Sequence, residues 1–433
     1  MDVNNDNSAV CPSLLFRVNL SISLYINPNS GFVYLRAIIA ITRRNLCKIT
    51  IKPNMSSDKI KSIQASVLPS SSVPQQSGGR LIALDVFRAL TILLMILVNN
   101  GAGDEIYPQL VHSKWNGLTA CDLVFPFFLY IIGFTTYISM RKKSFTWSRD
   151  VVRKILKRTV QLFIIGLLIN WLDMACDGRQ LDFSHLRVWG VMQRIAICYF
   201  VTAAFAVTFH HRYAIPTSIA LLVGYHALLV FGDGFAYDSS TNILSRIDTS
   251  LFGYDHLYHK SPVDPEGLVS TIGASAHCLL AFGISWRVMS ITNHQHKTLF
   301  LYLAALLLVA VGYILNFTYC PFNKRIWSPS YVLVTIGLAS FFLAILIYFI
   351  DIRGWKHGYL MKILKIIGIH PLFLYVLSEV VAIVIGAIGV KDFVFSHISA
   401  AIPDGYIASL IYSILFIATM VMAVVCIRGE KKY

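Results

Sequence analysis

Charge is scarce in this sequence. Asp, Glu, Lys and Arg make up 14% of its 433 residues, against roughly 25% in soluble domains. With 56% hydrophobic residues and a mean hydropathy of +0.64, that shortfall excludes a disordered chain and argues against a water-soluble enzyme built on one core. Cysteine pairs are missing as well. Eight cysteines are scattered along the chain with no CxxC, which gives neither a disulfide framework nor a zinc site. No P-loop, GxSxG elbow, GxGxxG after a strand or HExxH occurs. Any activated donor therefore has to bind among helices.

Long apolar stretches are what the chain has in abundance. From Leu81 onward ten of them have the length a bilayer requires, near 81–99, 122–140, 155–171, 191–209, 215–231, 268–288, 299–319, 330–350, 364–388 and 406–427. Each is expected to be helical, because backbone polar groups in lipid must pair within their own segment. The expected fold is thus all-α, a polytopic membrane protein with about ten transmembrane helices. Pro371 and the glycines of the ninth stretch predict a kinked or broken helix there. Residues 1–80 read as a weakly structured, basic extension with a Ser/Pro/Gln/Gly-rich linker at 66–79, and 81–433 as the transmembrane domain. Met55 is an alternative start of translation, and no function is assigned to the extension.

The net charge of +15 is not a nucleic-acid signal. With the N-terminus inside, the inner segments hold 27 Lys/Arg and the outer loops eight, the asymmetry that sets membrane orientation. Both termini are expected on the cytoplasmic side, and the basic face meets anionic lipid. Fourteen of the 22 Asp/Glu fall on or beside the outer loops, a distribution that would concentrate a cationic substrate at that mouth.

Charges inside the spans narrow the search for chemistry, since each costs at least roughly 2.5–3.5 kcal/mol at the bilayer centre. Asp85 and Arg88 lie three apart in the first span and are expected to pair, with phosphate recognition by Arg88 as the other reading. Arg194 has no local acid partner, and Glu379 is its expected counter-ion. The densest polar cluster is LVNNGAGDEIYPQLVHSKWNGLTACDLVFPFF. It gathers Asn99, Asn100, His112, Trp115, Asn116 and Asp122 at one membrane face. A histidine with an ordinary pKa of about 6.5 can serve there as general base or nucleophile. A second cluster, GYDHLYHKSPVDPEGL, holds His256, His259, Asp264 and Glu266, but its spacing matches no strong zinc pattern, and no metal is expected. Asp264-Pro265-Glu266-Gly267 reads as a helix-initiating turn. A third patch is NKRIWSPSY, residues 323–331.

Five ordered blocks carry a resemblance: RLIALDVFRALTILLMILVNN, HSKWNGLTACDLVFPFFLYIIG, RVWGVMQRIAICYF, DHLYHKSPVDPEGLVSTI and NKRIWSPSYVL. Together they resemble the heparan-α-glucosaminide N-acetyltransferase family of transmembrane acetyltransferases. The compact bacterial-type relatives are the nearer match, since only 80 weakly structured residues precede Leu81. The resemblance implies transfer of acetyl from cytosolic acetyl-CoA to the amine of a glucosamine-type sugar on the extracytoplasmic or luminal side. It implies His112 as the catalytic histidine, with Asn99 and Asp122 in the same site. Gln193 and Arg194, with Arg88, become candidates for binding CoA. Trp115, Asn116, Asp264 and Glu266 become candidates for binding the acceptor. The expected partners are the bilayer and an aminosugar or glycan acceptor, with no nucleic acid, and a homodimer is kept open. The membrane would be the bacterial inner membrane in a prokaryote, and a lysosomal or other endomembrane in a eukaryote. Two alternatives stay open: an amino-sugar or oligosaccharide transporter without covalent chemistry, and an O-acyltransferase acting on a cell-surface glycan.

Overall fold

The computed structural model describes residues 81–428 apart from Gln180 and His259. The extension 1–80, with Met55, lies outside the described residues. Every regular element among the described residues is helical. The longer helices are α1 (Ile82–Asn99), α2 (Ala120–Arg141), α3 (Arg149–Cys176), α4 (Val191–Thr208), α5 (Ala214–Phe231), the short α6 (Ile243–Phe252), α7 (Thr271–Ser290), α8 (His294–Thr318) and α9 (Pro329–Ile347). They continue through α10 (Tyr359–Ile369), α11 (Pro371–Ala387), α12 (Val390–Ala401) and α13 (Gly405–Arg428).

Nine helices among the described residues are long and apolar enough to cross a membrane, and α10 with α11, bent by 83° at their junction, make ten if the pair counts as one span. This is an integral, multi-pass membrane protein. The break between α10 and α11 falls at His370–Pro371, where proline removes a helical hydrogen bond and clashes with the preceding turn. A helix ending inside a bilayer leaves carbonyls without partners. Arg88 of α1 answers this by donating to Gly368 O at 2.7 Å while pairing with Asp85 at 3.2 Å. A cation at a helix C-terminus also complements its dipole. The expected Asp85–Arg88 pair is made, and Arg88 additionally caps a broken helix.

The bundle is not uniform around its girth. Helices α2 and α7 are mostly enclosed by protein, whereas α3 and α8 turn most of their surface outward. Lipid offers no hydrophobic drive between helices, so close packing has to come from small residues. The α2–α7 contact depends on Gly133, where a β-carbon would fall on the carbonyl oxygen of Cys278. Gly337 similarly lets α9 approach the backbone of α8 at Ala305 and Val309. Because the spans alternate in direction, the loops after α1, α3, α5, α8 and α11 gather at one end of the bundle, and hydrogen bonds between them bear this out. Trp115 Nε1 donates to Phe235 O at 3.2 Å, Val188 N to His256 O at 3.1 Å, and Lys391 Nζ to Gly101 O at 3.0 Å.

Gly133→Ala should lower the apparent melting temperature in detergent by the equivalent of about 1–3 kcal/mol, the usual cost of overpacking. Gly386→Ala, with open space around it, serves as the control. Equal behaviour of the two variants would show that the α2–α7 approach does not depend on glycine.

Candidate active site at the loop end of the bundle

The loop between α1 and α2 is organised by one side chain, Asp122, at the third position of α2. Thr119 and Asp122 close a capping box over the first turn of the helix. Asp122 is fully buried. Its Oδ2 accepts from Thr119 N at 3.2 Å, Thr119 Oγ1 at 3.0 Å and Ser113 N at 3.2 Å. Its Oδ1 lies 2.8 Å from His112 Nδ1. An ionised carboxylate only accepts, so it holds the proton on Nδ1 and leaves Nε2 as the unprotonated nitrogen. The histidine side chain is 46% exposed, so one face is anchored and the other is open.

Lys324 completes this corner from the far side of the sequence. Its Nζ lies 3.0 Å from each ring nitrogen of His112 and 3.9 Å from Asp122 Oδ1. Burial holds its ammonium below the ordinary lysine range, against the opposing pull of Asp122 and Glu266. The loop that carries it is tied to the His112 loop by three bonds: Gly117 N to Phe322 O at 2.8 Å, Asn323 Nδ2 to Asn116 Oδ1 at 3.1 Å, and Arg325 Nε to Lys114 O at 3.0 Å. Cys121 Sγ also reaches His112 Nδ1, at 3.1 Å.

A second charged group stands beside it. Arg187 Nη2 donates to Asp264 Oδ1 at 2.9 Å and to Glu266 Oε2 at 2.8 Å, and its guanidinium lies 4.6 Å from the centre of the Tyr258 ring. Asp264 Oδ1 also accepts from Glu266 N, and Oδ2 from Tyr258 N. Burial would raise Glu266, but Arg187, Arg194 and Lys324 outweigh it and hold the carboxyl ionised below its usual range. Next to this cluster, α6 contributes Asp248, which is 1% exposed. Its Oδ1 accepts from Val269 N at 3.3 Å. Burial, reinforced by Asp264 and opposed by the Val269 N–H and Arg194, pushes it up to about 6.

The remaining expected residues are distributed differently. Arg194, fully buried on α4, bonds to Gly267 O and Ser270 Oγ and lies 5.1 Å from the centre of the Trp327 ring. Its expected pairing with Glu379 is not made. Glu379 instead accepts from Asn99 Nδ2 at 3.3 Å. The reason is local: α7 and the turn before it supply acceptors nearer to α4 than α11 does. Asn99 therefore sits with Glu379, and no hydrogen bond joins it to His112 among the described residues. Gln193 lies against Gly166 and Gly190, where a β-carbon would meet its amide. Trp327 takes a left-handed backbone with φ of 54°, uncommon for a bulky residue. No group of three or more His, Cys, Asp or Glu suited to a metal occurs among the described residues.

Residues 80–243 match the family described as heparan-alpha-glucosaminide N-acetyltransferase, catalytic. The matched region includes His112, Asp122, Arg187, Gln193 and Arg194. Curated relatives extend the similarity further along the chain. Heparan-alpha-glucosaminide N-acetyltransferase from Mus musculus is 29% identical over 347 residues, 66% of this chain and 51% of the relative. The Homo sapiens protein of the same name is 29% identical over 340 residues, 64% and 50% respectively. This chain thus spans about half the length of the curated relatives it matches.

Arg187, Lys324 and Cys121 are the members of this assembly that the sequence leaves without a role. The signal for Lys324 is the basic patch at 323–331. Arg187 heads the RVWG block, but only the fold brings the Asp264 turn to it.

A carboxyl with a folded-state pKa above its unfolded value near 3.9 adds stability below about pH 4, and that contribution is lost as pH rises through about 6. Wild-type apparent melting temperature should therefore fall between pH 4 and 7 more steeply than that of Asp248→Asn. The difference should amount to about 1–3 kcal/mol. Parallel profiles of the two proteins would show that Asp248 titrates normally.

Proposed function

We propose that this protein is an acetyltransferase that moves an acetyl group from acetyl-CoA to the amine of a glucosamine-type sugar across the membrane. The observation that carries the reading is the His112–Asp122 pair, in the region that matches a catalytic family, with Lys324 set against it from outside that region. Asp122 fixes the tautomer of His112, so Nε2 is the basic nitrogen, which the acceptor reaches in place of Lys324 Nζ. The acceptor arrives as an ammonium, and Nε2 takes one of its protons. The neutral amine then attacks the acetyl carbonyl carbon, the C–S bond breaks, the departing CoA thiolate receives a proton from the imidazolium, and Nε2 then takes the second proton from the nascent amide nitrogen and passes it to solvent. The products are an N-acetyl sugar, free CoA and one proton released to solvent, with the enzyme returned to its starting charge. Lys324, close enough to interact with a developing oxyanion, is suited to stabilise the tetrahedral intermediate.

The donor is a long molecule rich in acceptor oxygens, and α4 suits it. Arg194 Nε and Nη1 and Gln193 Nε2 are buried donors with no hydrogen-bond partner, and such groups call for acceptors. Arg88 is committed to Asp85 and Gly368, which argues for a structural role over phosphate binding. The excess of Lys/Arg in the loops at the opposite end supports a cytoplasmic location for that end and a luminal or extracytoplasmic one for His112.

With purified protein in nanodiscs, CoA release from acetyl-CoA should depend on glucosamine. His112→Ala should lower kcat by roughly 10²–10⁴-fold, the usual contribution of a general base. Asp122→Asn should lose at least tenfold, with reduced thermal stability, because the same carboxylate caps α2. Amine-dependent release at wild-type rate in His112→Ala would remove the histidine from the mechanism. No release from folded wild-type protein would favour transport without covalent chemistry.

A further inference from the structure

The segment joining α9 to α10 lies at the end of the bundle opposite His112. α9 starts beside the His112 loop, where Tyr331 bonds to Asp122 O, and runs away from it. Its last turn widens into a π-helical turn, Tyr348–Ile352. α10 then packs against the start of α1, so closely that a β-carbon on Gly368 would fall on the carbonyl oxygen of Asp85. With 11 residues, α10 is roughly 16 Å long, about half the thickness of a hydrocarbon core. It meets α11 at 83°. Leu364, Ile367 and Gly368 form its buried face. Trp355, Tyr359 and Leu360 are 67%, 77% and 69% exposed, and Trp355 stacks on Phe349 with ring centres 5.3 Å apart. Exposed Trp and Tyr at the end of a span mark the head-group layer.

Charge in this segment is of one sign. Arg353, Lys356, Lys362 and Lys365 face no Asp or Glu in sequence from 352 to 378. Folding draws two of these cations to one corner: Lys365 Nζ donates to Lys356 O at 3.0 Å, and Lys356 Nζ lies 3.4 Å from Asp351 Oδ1. Arg353 is engaged elsewhere, its Nε donating to the Tyr348 hydroxyl at 3.0 Å. The Asp351 side chain is only 7% exposed, yet its Oδ2 is buried with no hydrogen-bond partner. Buried polar atoms seldom stay unpaired. The corner therefore offers ammonium groups to an anion and, beside them, a carboxylate oxygen that calls for a donor. A bare phosphate ion meets the first requirement and is repelled by the second. A phosphodiester whose head group carries hydroxyls meets both, and its acyl chains lie naturally against an apolar, membrane-facing surface.

We infer that the α9–α10 corner is a binding site for an anionic glycerophospholipid, with its phosphate on Lys356 and Lys365 and a head-group hydroxyl on Asp351. The broad excess of Lys/Arg at this end of the bundle orients the protein. This corner differs in joining two cations to one donor-seeking oxygen, so it selects among head groups and not for charge alone. The bound lipid braces α10, the helix whose C-terminus Arg88 caps. None of this depends on acetyl transfer.

The test uses full-length protein, delipidated in detergent, and native mass spectrometry with three lipids. These are phosphatidylglycerol, phosphatidylmethanol (equally anionic, without head-group hydroxyls) and phosphatidylcholine. Wild type should retain them in that order. Lys356→Gln with Lys365→Gln should weaken phosphatidylglycerol binding by about tenfold or more, and Lys356→Arg with Lys365→Arg should keep it. Lys154→Gln removes an exposed cation of α3 at the same end and should leave binding unchanged. Gel filtration and melting without added lipid establish that the variants fold; if the Gln pair does not, the order of the three lipids on wild type decides. Wild-type binding in the folded Gln pair, an equal loss in Lys154→Gln, or equal retention of all three lipids would overturn the site. Phosphatidylmethanol held as well as phosphatidylglycerol would overturn the Asp351 contact.

Discussion

The candidate active site depends on the carboxylate of Asp122. Its two oxygens serve two masters: one caps the first turn of α2 and the loop before it, the other holds the imidazole of His112. A buried carboxylate is costly unless its lone pairs are filled. Here the capping donors meet that requirement, so the charge that orients the histidine is maintained by the same contacts that start the helix. Tyr331 adds a tie from α9, donating its hydroxyl to Asp122 O at 2.5 Å. Folding of α2 and placement of the histidine are therefore one event.

Around this point the protein uses long-range pairings between loops to fix groups that no single helix could present. Lys324 reaches His112 because three hydrogen bonds bind its loop to 114–117. Arg187 reaches Asp264 and Glu266 because the strand-like stretch before α4 runs beside the 254–258 turn, with His256 Nδ1 and Leu186 O 2.7 Å apart. The spans provide a rigid frame, and the chemistry sits on the connections at one end. Such a division suits a membrane protein, where irregular backbone is tolerated only inside protein or against water.

Much of the frame was legible in the sequence because the bilayer imposes a simple rule of length and apolarity. Nine of the ten stretches coincide with helices long and apolar enough to span, and the other, holding Pro371, is a helix pair bent by 83°. The His112–Asp122 association was legible as a cluster, since both lie within one short loop-to-helix stretch. What the sequence hid was partner choice among distant charges. Arg194 and Glu379 are the isolated charges of their spans, and pairing them was the economical expectation; yet Arg194 finds Gly267 O and Ser270 on α7 and its lead-in, and Glu379 finds Asn99. Local sequence carries no record of which helices are neighbours, and that information decides such pairings. Lys324 was visible as part of a basic patch for the same reason that its target was not.

The contact between Arg88 and Gly368 has a consequence for how the molecule is made. The two residues are separated by 280 positions. During synthesis α1 emerges long before α10 exists, so its arginine enters the membrane before Gly368 can receive it, with Asp85 one turn away to offset it. The acid three residues earlier is thus a temporary companion as well as a permanent one, lowering the cost of insertion until the ninth hydrophobic stretch arrives. Maturation of the first helix is completed by nearly the last, which makes late translation, and not only the amino-terminal segment, a determinant of its final seating.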